Sequence, residues 1–159
     1  MATLKVKIQE DIILNNQDYG SKRVLEVASI ASIVKRVVNI GTNEIGLLGF
    51  GAAYNTELSK SYLAGQFDED NVRYIRITNL DGTNHIALVL KNENNDEFGV
   101  KIDKGCSFLY CADLTGGVVD TMDSADAAGI TPNSFGDLVD ITCTADTAAC
   151  DVEVFVAST

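Results

Sequence analysis

The side chains that most often carry chemistry are scarce in this sequence. His85 is the only histidine, and no Gly-x-Ser-x-Gly motif accompanies it. A histidine-rich metal site or a mixed Cys/His zinc set is therefore not expected. His85 stands at the start of a predicted strand, beside a turn, and we interpret it as a structural or surface residue. The sequence predicts no catalytic residue, no cofactor-binding residue and no metal ligand.

The four cysteines, Cys106, Cys111, Cys143 and Cys150, lack the CxxC spacing that is typical of a zinc site. Cys143 and Cys150 are placed so that they could face each other across a hairpin as a disulfide, and a Cys106–Cys111 bond is also left open. A protein made in a cytoplasm keeps its thiols reduced, and buried free cysteines behave as small apolar residues. We favour reduced cysteines that fill the core.

Asp120, Asp123 and Asp126 recur at every third position of a glycine-bounded stretch. Calcium needs several oxygen atoms that converge on one point, and the EF-hand spacing with its terminal glutamate is absent. The pattern favours a solvated acidic loop, or the outer face of a short amphipathic helix that begins near Val118, over a calcium site.

The length and the net charge of the chain indicate how many domains it has and which partners are not expected. The chain has 159 residues, enough for a single domain over 1–159 with a substantial core. Its formal charge of −11 is uneven, with −2 in residues 1–102 and −9 in residues 103–159. The acidic C-terminal third argues against nucleic acid and against an anionic membrane surface as partners.

The N-terminal residues and the most apolar run give no sign of a targeting or membrane segment. Leu4, Val6 and Ile8 alternate with polar residues, which predicts a strand rather than a signal peptide. The run 45–54 is too short to span a bilayer and contains three glycines. These glycines do not form GxGxxG, so the run is interpreted as a strand with a bulge or a tight corner. We expect a soluble protein made in a cytoplasm.

The stretch that organises the chain is 67–91. Ile75 and Ile77 alternate with polar residues, and Ile86, Leu88 and Leu90 alternate in the partner run. Residues 80–83 (LDGT) have the composition of a tight turn. This pattern predicts a central β-hairpin.

Further strands are predicted by the same alternation at about 1–9, 22–28, 32–40, 98–102, 107–110, 139–144 and 152–156. The total of about eight or nine strands favours an all-β protein, an antiparallel β-sandwich of the jelly-roll type. Residues 112–136 interrupt the rhythm and predict one long loop, rich in Gly, Ala and Asp, that serves as a lid, an arm or a contact with a neighbouring molecule.

Part of the chain resembles a known group of proteins. Residues 64–67 (AGQF), 72–81 (VRYIRITNLD) and 105–108 (GCSF) are similar to virion structural proteins of tailed bacteriophages, particularly phages of marine bacteria. The similarity extends over about residues 20–110. It implies a β-rich component of the particle, such as a capsid decoration or cement protein, or a tail or fibre piece. It assigns no functional residues.

Two functions from different classes follow from this resemblance. The first is a non-enzymatic structural protein of the virion that decorates or cements the capsid, with copies of itself (a homotrimer) and the major capsid protein as partners. The second is a receptor- or glycan-binding sandwich of a tail or head fibre, which the absence of Trp and the aromatic content of 7% disfavour. A small hydrolase that uses Asp120 or Asp123 is a distant third.

Overall fold

The computed structural model describes residues 1–51, 62–111 and 135–159, and this part of the chain is all β apart from one 3₁₀ turn at Glu69–Asn71. The strands are β1 (Ala2–Glu10), β2 (Ile13–Leu14), β3 (Gln17–Asp18), β4 (Ser21–Ile30), β5 (Ser32–Ile40), β6 (Ile45–Phe50), β7 (Gly65–Phe67), β8 (Val72–Asn79), β9 (Ile86–Asn92), β10 (Glu97–Ile102), β11 (Ser107–Tyr110), β12 (Leu138–Ala145) and β13 (Cys150–Ser158). None of the described residues forms a helix that is long and apolar enough to cross a membrane.

Two sheets pack face to face as a β-sandwich. One has five strands in the order β10-β9-β12-β6-β7, and the other has four in the order β11-β8-β13-β5. Their inner side chains form one apolar core, to which both sheets contribute. On β13, for example, Val152, Val154 and Val156 are buried in this core, whereas Glu153 and Phe155 point outward. The predicted all-β fold is thereby confirmed, and the two packed sheets are consistent with the predicted sandwich. The prediction that its strands are antiparallel is wrong for one pair, because β6 and β7 are parallel.

The pairing of the strands is nested. Leaving aside the short β7, the eight strands from β5 onward pair first with last: β5 with β13, β6 with β12, β8 with β11, and β9 with β10, all antiparallel. Two further pairings, β8 with β13 and β9 with β12, join these pairs into the two sheets. The chain therefore passes from one sheet to the other at most of its connections.

The prediction of a central hairpin is wrong. Both of its strands form, but they do not pair with each other. β8 lies in the four-stranded sheet and β9 in the five-stranded sheet, so residues 80–85 cross between the layers. The Asp81 carboxylate accepts hydrogen bonds from the backbone N–H groups of Asn84 and Thr83, which hold the pKa of Asp81 below its usual value. These local bonds make a compact turn, but the apolar faces of β8 and β9 meet across the core instead of sharing one sheet.

The first thirty residues form a separate antiparallel arm. β1 pairs with β4 over almost its whole length, and β2 pairs with β3 at the far end. The alternation in the sequence predicts β1 and β4 as strands, but we expected them to belong to the sandwich. The described residues therefore contain thirteen strands rather than eight or nine, with nine in the two large sheets and four in the arm. Most of the predicted loop 112–136 lies outside the described residues.

Candidate interaction surface: the N-terminal arm

His85, the only histidine of the chain, makes a polar contact in the described part of the structure. His85 Nδ1 lies 3.4 Å from Asp146 Oδ2, and both side chains are partly exposed. Beside them, the hydroxyl of Thr147 donates to Asn84 Oδ1 at 2.7 Å. These contacts tie the start of β9 to the turn after β12. The interpretation of His85 as a structural or surface residue agrees with this position.

The four cysteines are free thiols. Cys143 and Cys150 are buried and belong to β12 and β13, which lie in different sheets, so they do not face each other across a hairpin. Burial raises the pKa of Cys143 to about 12, which leaves it a thiol at neutral pH. Cys106 and Cys111 are exposed, and the thiol of Cys111 donates to the carbonyl of Arg73 at 3.4 Å.

Metal-ligating side chains do not converge in residues 1–51, 62–111 and 135–159, where no group of three His, Cys, Asp or Glu could hold an ion. Asp120, Asp123 and Asp126 lie outside these ranges.

The arm has one apolar face. Directly opposed residues of an antiparallel pair point to the same side, and the pairs Leu4–Val27 and Val6–Leu25 place four aliphatic side chains together, with Ile8 next in line. The opposite face is polar, with Lys5 and Glu26 joined by an exposed ion pair of 2.8 Å. Such a two-sided ribbon normally lays its apolar face on a core.

Only the base of that face is covered by the sandwich. Ile30 packs with Tyr74 and Ala157, and Leu4, Val6, Val27 and Phe155 border this small cluster. The Tyr74 and Phe155 rings meet edge-on at 5.8 Å, and burial raises the pKa of Tyr74. The joint is thus a small second core on the outer side of the four-stranded sheet.

A backbone irregularity sets the direction of the arm at this joint. Ser29 has a positive φ of 62°, and the β1–β4 register shifts between Ala2 and Leu4. A bulge of this kind bends a ribbon and increases its twist. The N–H of Ala31 donates to the carbonyl of Ser158 at 2.9 Å and fixes the point at which the arm leaves the sandwich.

The far end of the arm is a tight turn that carries several exposed apolar side chains. Asn15 and Asn16 both have positive φ, as the tight turn between β2 and β3 requires. The Ser21 hydroxyl donates to the Glu10 carboxylate and closes the base of this turn region. Ile12, Ile13, Leu14 and Tyr19 are all more than half exposed. We call residues 10–20 the tip.

Charge is also divided along the arm. The tip carries Glu10, Asp11 and Asp18 and no Lys or Arg, a formal charge of −3. The remainder of residues 1–30, which we call the stem, holds four Lys or Arg and one Glu, a charge of +3. The arm is therefore neutral as a whole, and the entire net charge of −11 belongs to residues 31–159.

Comparison of the chain with protein-family models, with curated proteins and with solved structures found no match in any of the three. The arm itself was missed by sequence reasoning. Its one signal was the apolar triplet Ile12-Ile13-Leu14 beside Asn15 and Asn16. The triplet overlaps β2, whose pairing with the polar β3 is too short to form a core.

Proposed function

We propose that this protein is a non-enzymatic structural component of a phage particle, in which it decorates or cements the capsid through subunit contacts. The observation that carries the proposal is the arm, a shaped ribbon whose tip is exposed and whose apolar face is exposed beyond its base, at Ile8 and Leu25. Contiguous exposed apolar surface of this kind is typical of protein contact sites.

The fold supports the same proposal at the level of analogy. We propose that the sandwich is a jelly roll, because eight strands that pair first with last in two sheets make a long hairpin rolled up on itself. Jelly rolls are common in viral capsid proteins and in lectins. Fold alone does not assign a function. The resemblance of residues 64–81 and 105–108 to virion proteins favours the particle over the lectin.

The division between sandwich and arm suits a protein whose work is the burial of surface between subunits. The sandwich has its own core, whereas the exposed part of the arm would gain buried area if another molecule covered it. Transfer of apolar surface out of water is worth about 25 cal/mol per Å², so burial of these aliphatic side chains in a contact would contribute to its stability.

A copy-number measurement tests the proposal. Quantitative mass spectrometry of purified particles should find this chain in a fixed ratio to the major shell protein, and the purified protein should rebind to shells that lack it. Absence from particles, together with no binding to such shells, would refute the proposed function. Retention by immobilised glycans instead of shells would favour the receptor-binding alternative.

A further inference from the structure

We propose that two copies of this protein pair along the outer edge of β10 (Glu97–Ile102), in an antiparallel arrangement whose two-fold axis lies beside Gly99. The inference goes beyond the proposed function and does not depend on it. It rests on the order of residues in β10, which carries at matching positions the opposite charges and the apolar side chains that an antiparallel copy of the same strand needs.

β10 is an edge strand of the five-stranded sheet and pairs, within the described residues, only with β9. Its register with β9 runs without a shift from Glu97 to Ile102, so the strand is regular over its whole length. Its first three residues and Lys101 are exposed. The backbone N–H and C=O groups on the outer side of such a strand form a template for a further strand. The edge of β10 is therefore suited to pairing with another chain.

The core side of β10 carries an apolar side chain that the sandwich covers only in part. Phe98 and Val100 lie directly opposite Leu90 and Leu88, which are buried in the core, so all four side chains point to the core side of the sheet. Val100 packs against the core, whereas Phe98 is 50% exposed at the rim of the sandwich. A partner strand at this edge would bury more of the Phe98 ring.

A two-fold antiparallel pairing about Gly99 gives every neighbouring position of β10 a complementary partner. In a symmetric antiparallel pair, residues at equal distances on either side of the axis oppose each other across the two copies. About Gly99, Glu97 of each copy opposes Lys101 of the other, and Phe98 of each copy opposes Val100 of the other. The contact therefore contains two ion pairs on the outer side of the sheet and two apolar pairs on the core side.

The neighbouring registers lack this match. An axis beside Val100 opposes Glu97 to Asp103, and an axis beside Glu97 or Lys101 opposes that residue to its own copy. Like charges that lie directly opposite each other are destabilising. An axis beside Phe98 avoids such repulsion but opposes no acidic residue to a basic one. The order of charges in β10 therefore selects the register about Gly99.

The other edge strands of the two large sheets do not match a copy of themselves in this way. They are β7, β11 and β5. β5 contains Lys35 and Arg36 and no acidic residue, so two copies of it would meet with like charges. β11 and β7 carry no charge and are only four and three residues long. An antiparallel partner of β10 needs a Lys and a Glu four residues apart in the reverse order, which the same strand of a second copy supplies.

Both charged side chains of the contact are available for it. Glu97 Oε1 lies 3.7 Å from Lys91 Nζ, and Lys101 Nζ lies 3.2 Å from Asp103 Oδ1. The side chains of Glu97, Lys101 and Asp103 are more than half exposed, and exposed ion pairs contribute little stability. In the dimer, Glu97 lies between Lys91 of its own chain, which is its neighbour on β9, and Lys101 of the second copy. The Lys91–Glu97 contact therefore need not break.

The pairing joins two sheets of five strands into one sheet of ten strands. A two-fold contact uses the same surface on both copies and closes after two of them. It therefore produces a dimer, whereas the homotrimer that the resemblance implies needs a different interface.

Charge reversals in the full-length protein test the contact and its register. Glu97→Lys places two cations opposite each other in both ion pairs, and Lys101→Glu places two anions there. The controls are Glu26→Lys and Lys5→Glu, which reverse the two members of an exposed ion pair on the arm. Sedimentation velocity and native mass spectrometry at low ionic strength, where salt screens charges least, give the oligomeric state. Circular dichroism verifies that each variant is folded.

We expect the wild type and both controls to dimerise, and each β10 variant to dimerise roughly tenfold more weakly. An equimolar mixture of the Glu97→Lys and Lys101→Glu variants, one of them labelled with heavy isotopes, should form heterodimers with wild-type affinity, because opposite charges then face each other again. The variant that carries both reversals should dimerise like the wild type for the same reason. In the wild-type dimer, the amides of β10 should exchange hydrogen more slowly than in the monomer.

Three results would each overturn the inference. The first is a wild type that stays monomeric at roughly millimolar concentration. The second is a pair of single β10 variants that dimerise like the wild type. The third is a mixture of these variants that forms no heterodimer, which would show that positions 97 and 101 do not face each other across the contact.

The dimer and the proposed function fail separately. A monomeric wild type that is present in particles at a fixed copy number would refute the pairing of β10 and leave the proposed function standing. A protein that dimerises through β10 but neither occurs in particles nor binds shells would refute the proposed function and leave the pairing standing.

Discussion

The sandwich and the arm are built from the same alternating strands, yet they bury their apolar faces very differently. In the sandwich, the inner face of each sheet is covered by the other, and Ile75, Ile141 and Val154 are fully buried. In the arm, Ile8 and Leu25 lie on an equally regular apolar face and are nearly half exposed. The comparison teaches that alternation specifies a strand and its apolar side, whereas the layer above that side decides whether it is core or contact surface.

The largest expected difference is between two isoleucines. Ile141→Ala on β12 leaves a cavity at a fully buried site and should lower the free energy of unfolding by about 2–5 kcal/mol. Ile13→Ala at the tip removes a side chain that is 76% exposed and should change it by less than about 0.5 kcal/mol. Urea unfolding of both variants measures the difference. Equal losses would contradict the division into a buried core and an exposed surface.

Two glycines sharpen the comparison within the sandwich. A Cβ on Gly49 of β6 would collide with the Tyr62 ring, whereas a Cβ on Gly99 of β10 meets nothing within 4 Å. We expect Gly49→Ala to cost about 1–3 kcal/mol because a packed ring has to move. Gly99→Ala should be neutral or slightly stabilising, since it restricts the unfolded chain. Chemical denaturation checks both, and a Gly49→Ala variant as stable as Gly99→Ala would show that the ring moves at no cost.

A substitution at the joint should loosen the arm without loosening the sandwich. Tyr74→Ala removes the ring on which the base of the arm packs and should make the arm amides of β1 and β4 exchange hydrogen about tenfold faster. Strands β9 and β12, which belong to the other sheet, should keep their protection. Hydrogen exchange followed by mass spectrometry reads both regions in one sample. Unchanged exchange in the arm would mean that the Tyr74 cluster does not hold it.

The smallest expected effect concerns two glutamates and pH. The hydrogen bond from Lys35, aided by Arg76, lowers the pKa of Glu153 although burial opposes it. A lowered folded-state pKa stabilises the protein above the ordinary glutamate value of about 4.3 and loses that contribution as pH falls through the folded-state pKa. Glu153→Gln should therefore reduce stability at pH 7 and flatten its decline toward acid.

Glu26→Gln on the arm is the matched control. Glu26 pairs with Lys5 in an exposed ion pair, and such pairs contribute little because water and salt screen them. Unfolding curves between neutral and acidic pH should therefore coincide for this variant and the wild type. Coincident curves for Glu153→Gln and the wild type would argue against a stabilising role of the Lys35–Glu153–Arg76 group.

Sequence periodicity predicted the strands well but not their partners. The alternation of Val152, Val154 and Val156 predicts β13 because one face of that strand is buried against a sheet. The turn at 80–85 has the composition of a hairpin turn, but its local hydrogen bonds form equally well when the chain changes sheet. Pairing depends on contacts between residues that are distant in sequence, and local periodicity carries no information about them.

The candidate surface escaped prediction for a related reason. In the sequence, an apolar triplet beside a turn is an ordinary feature, and Ile12, Ile13 and Leu14 form such a triplet. The local sequence does not indicate whether an apolar side chain is buried or exposed in the fold. In the sequence, the net charge changes from −2 in residues 1–102 to −9 in residues 103–159. The structure adds a second boundary at residue 30, between a neutral arm and residues 31–159, which carry the net charge of −11.

We propose that the sandwich supplies stability and that the arm supplies contact. Hydrogen exchange of the full-length protein, free and bound to particle shells, tests both halves in one experiment. We expect rapid exchange of the tip amides in the free protein, roughly tenfold slower exchange in the bound protein, and unchanged protection in β12 and β13. A tip that is already protected when free, or protection gained on binding only in the sandwich, would contradict it.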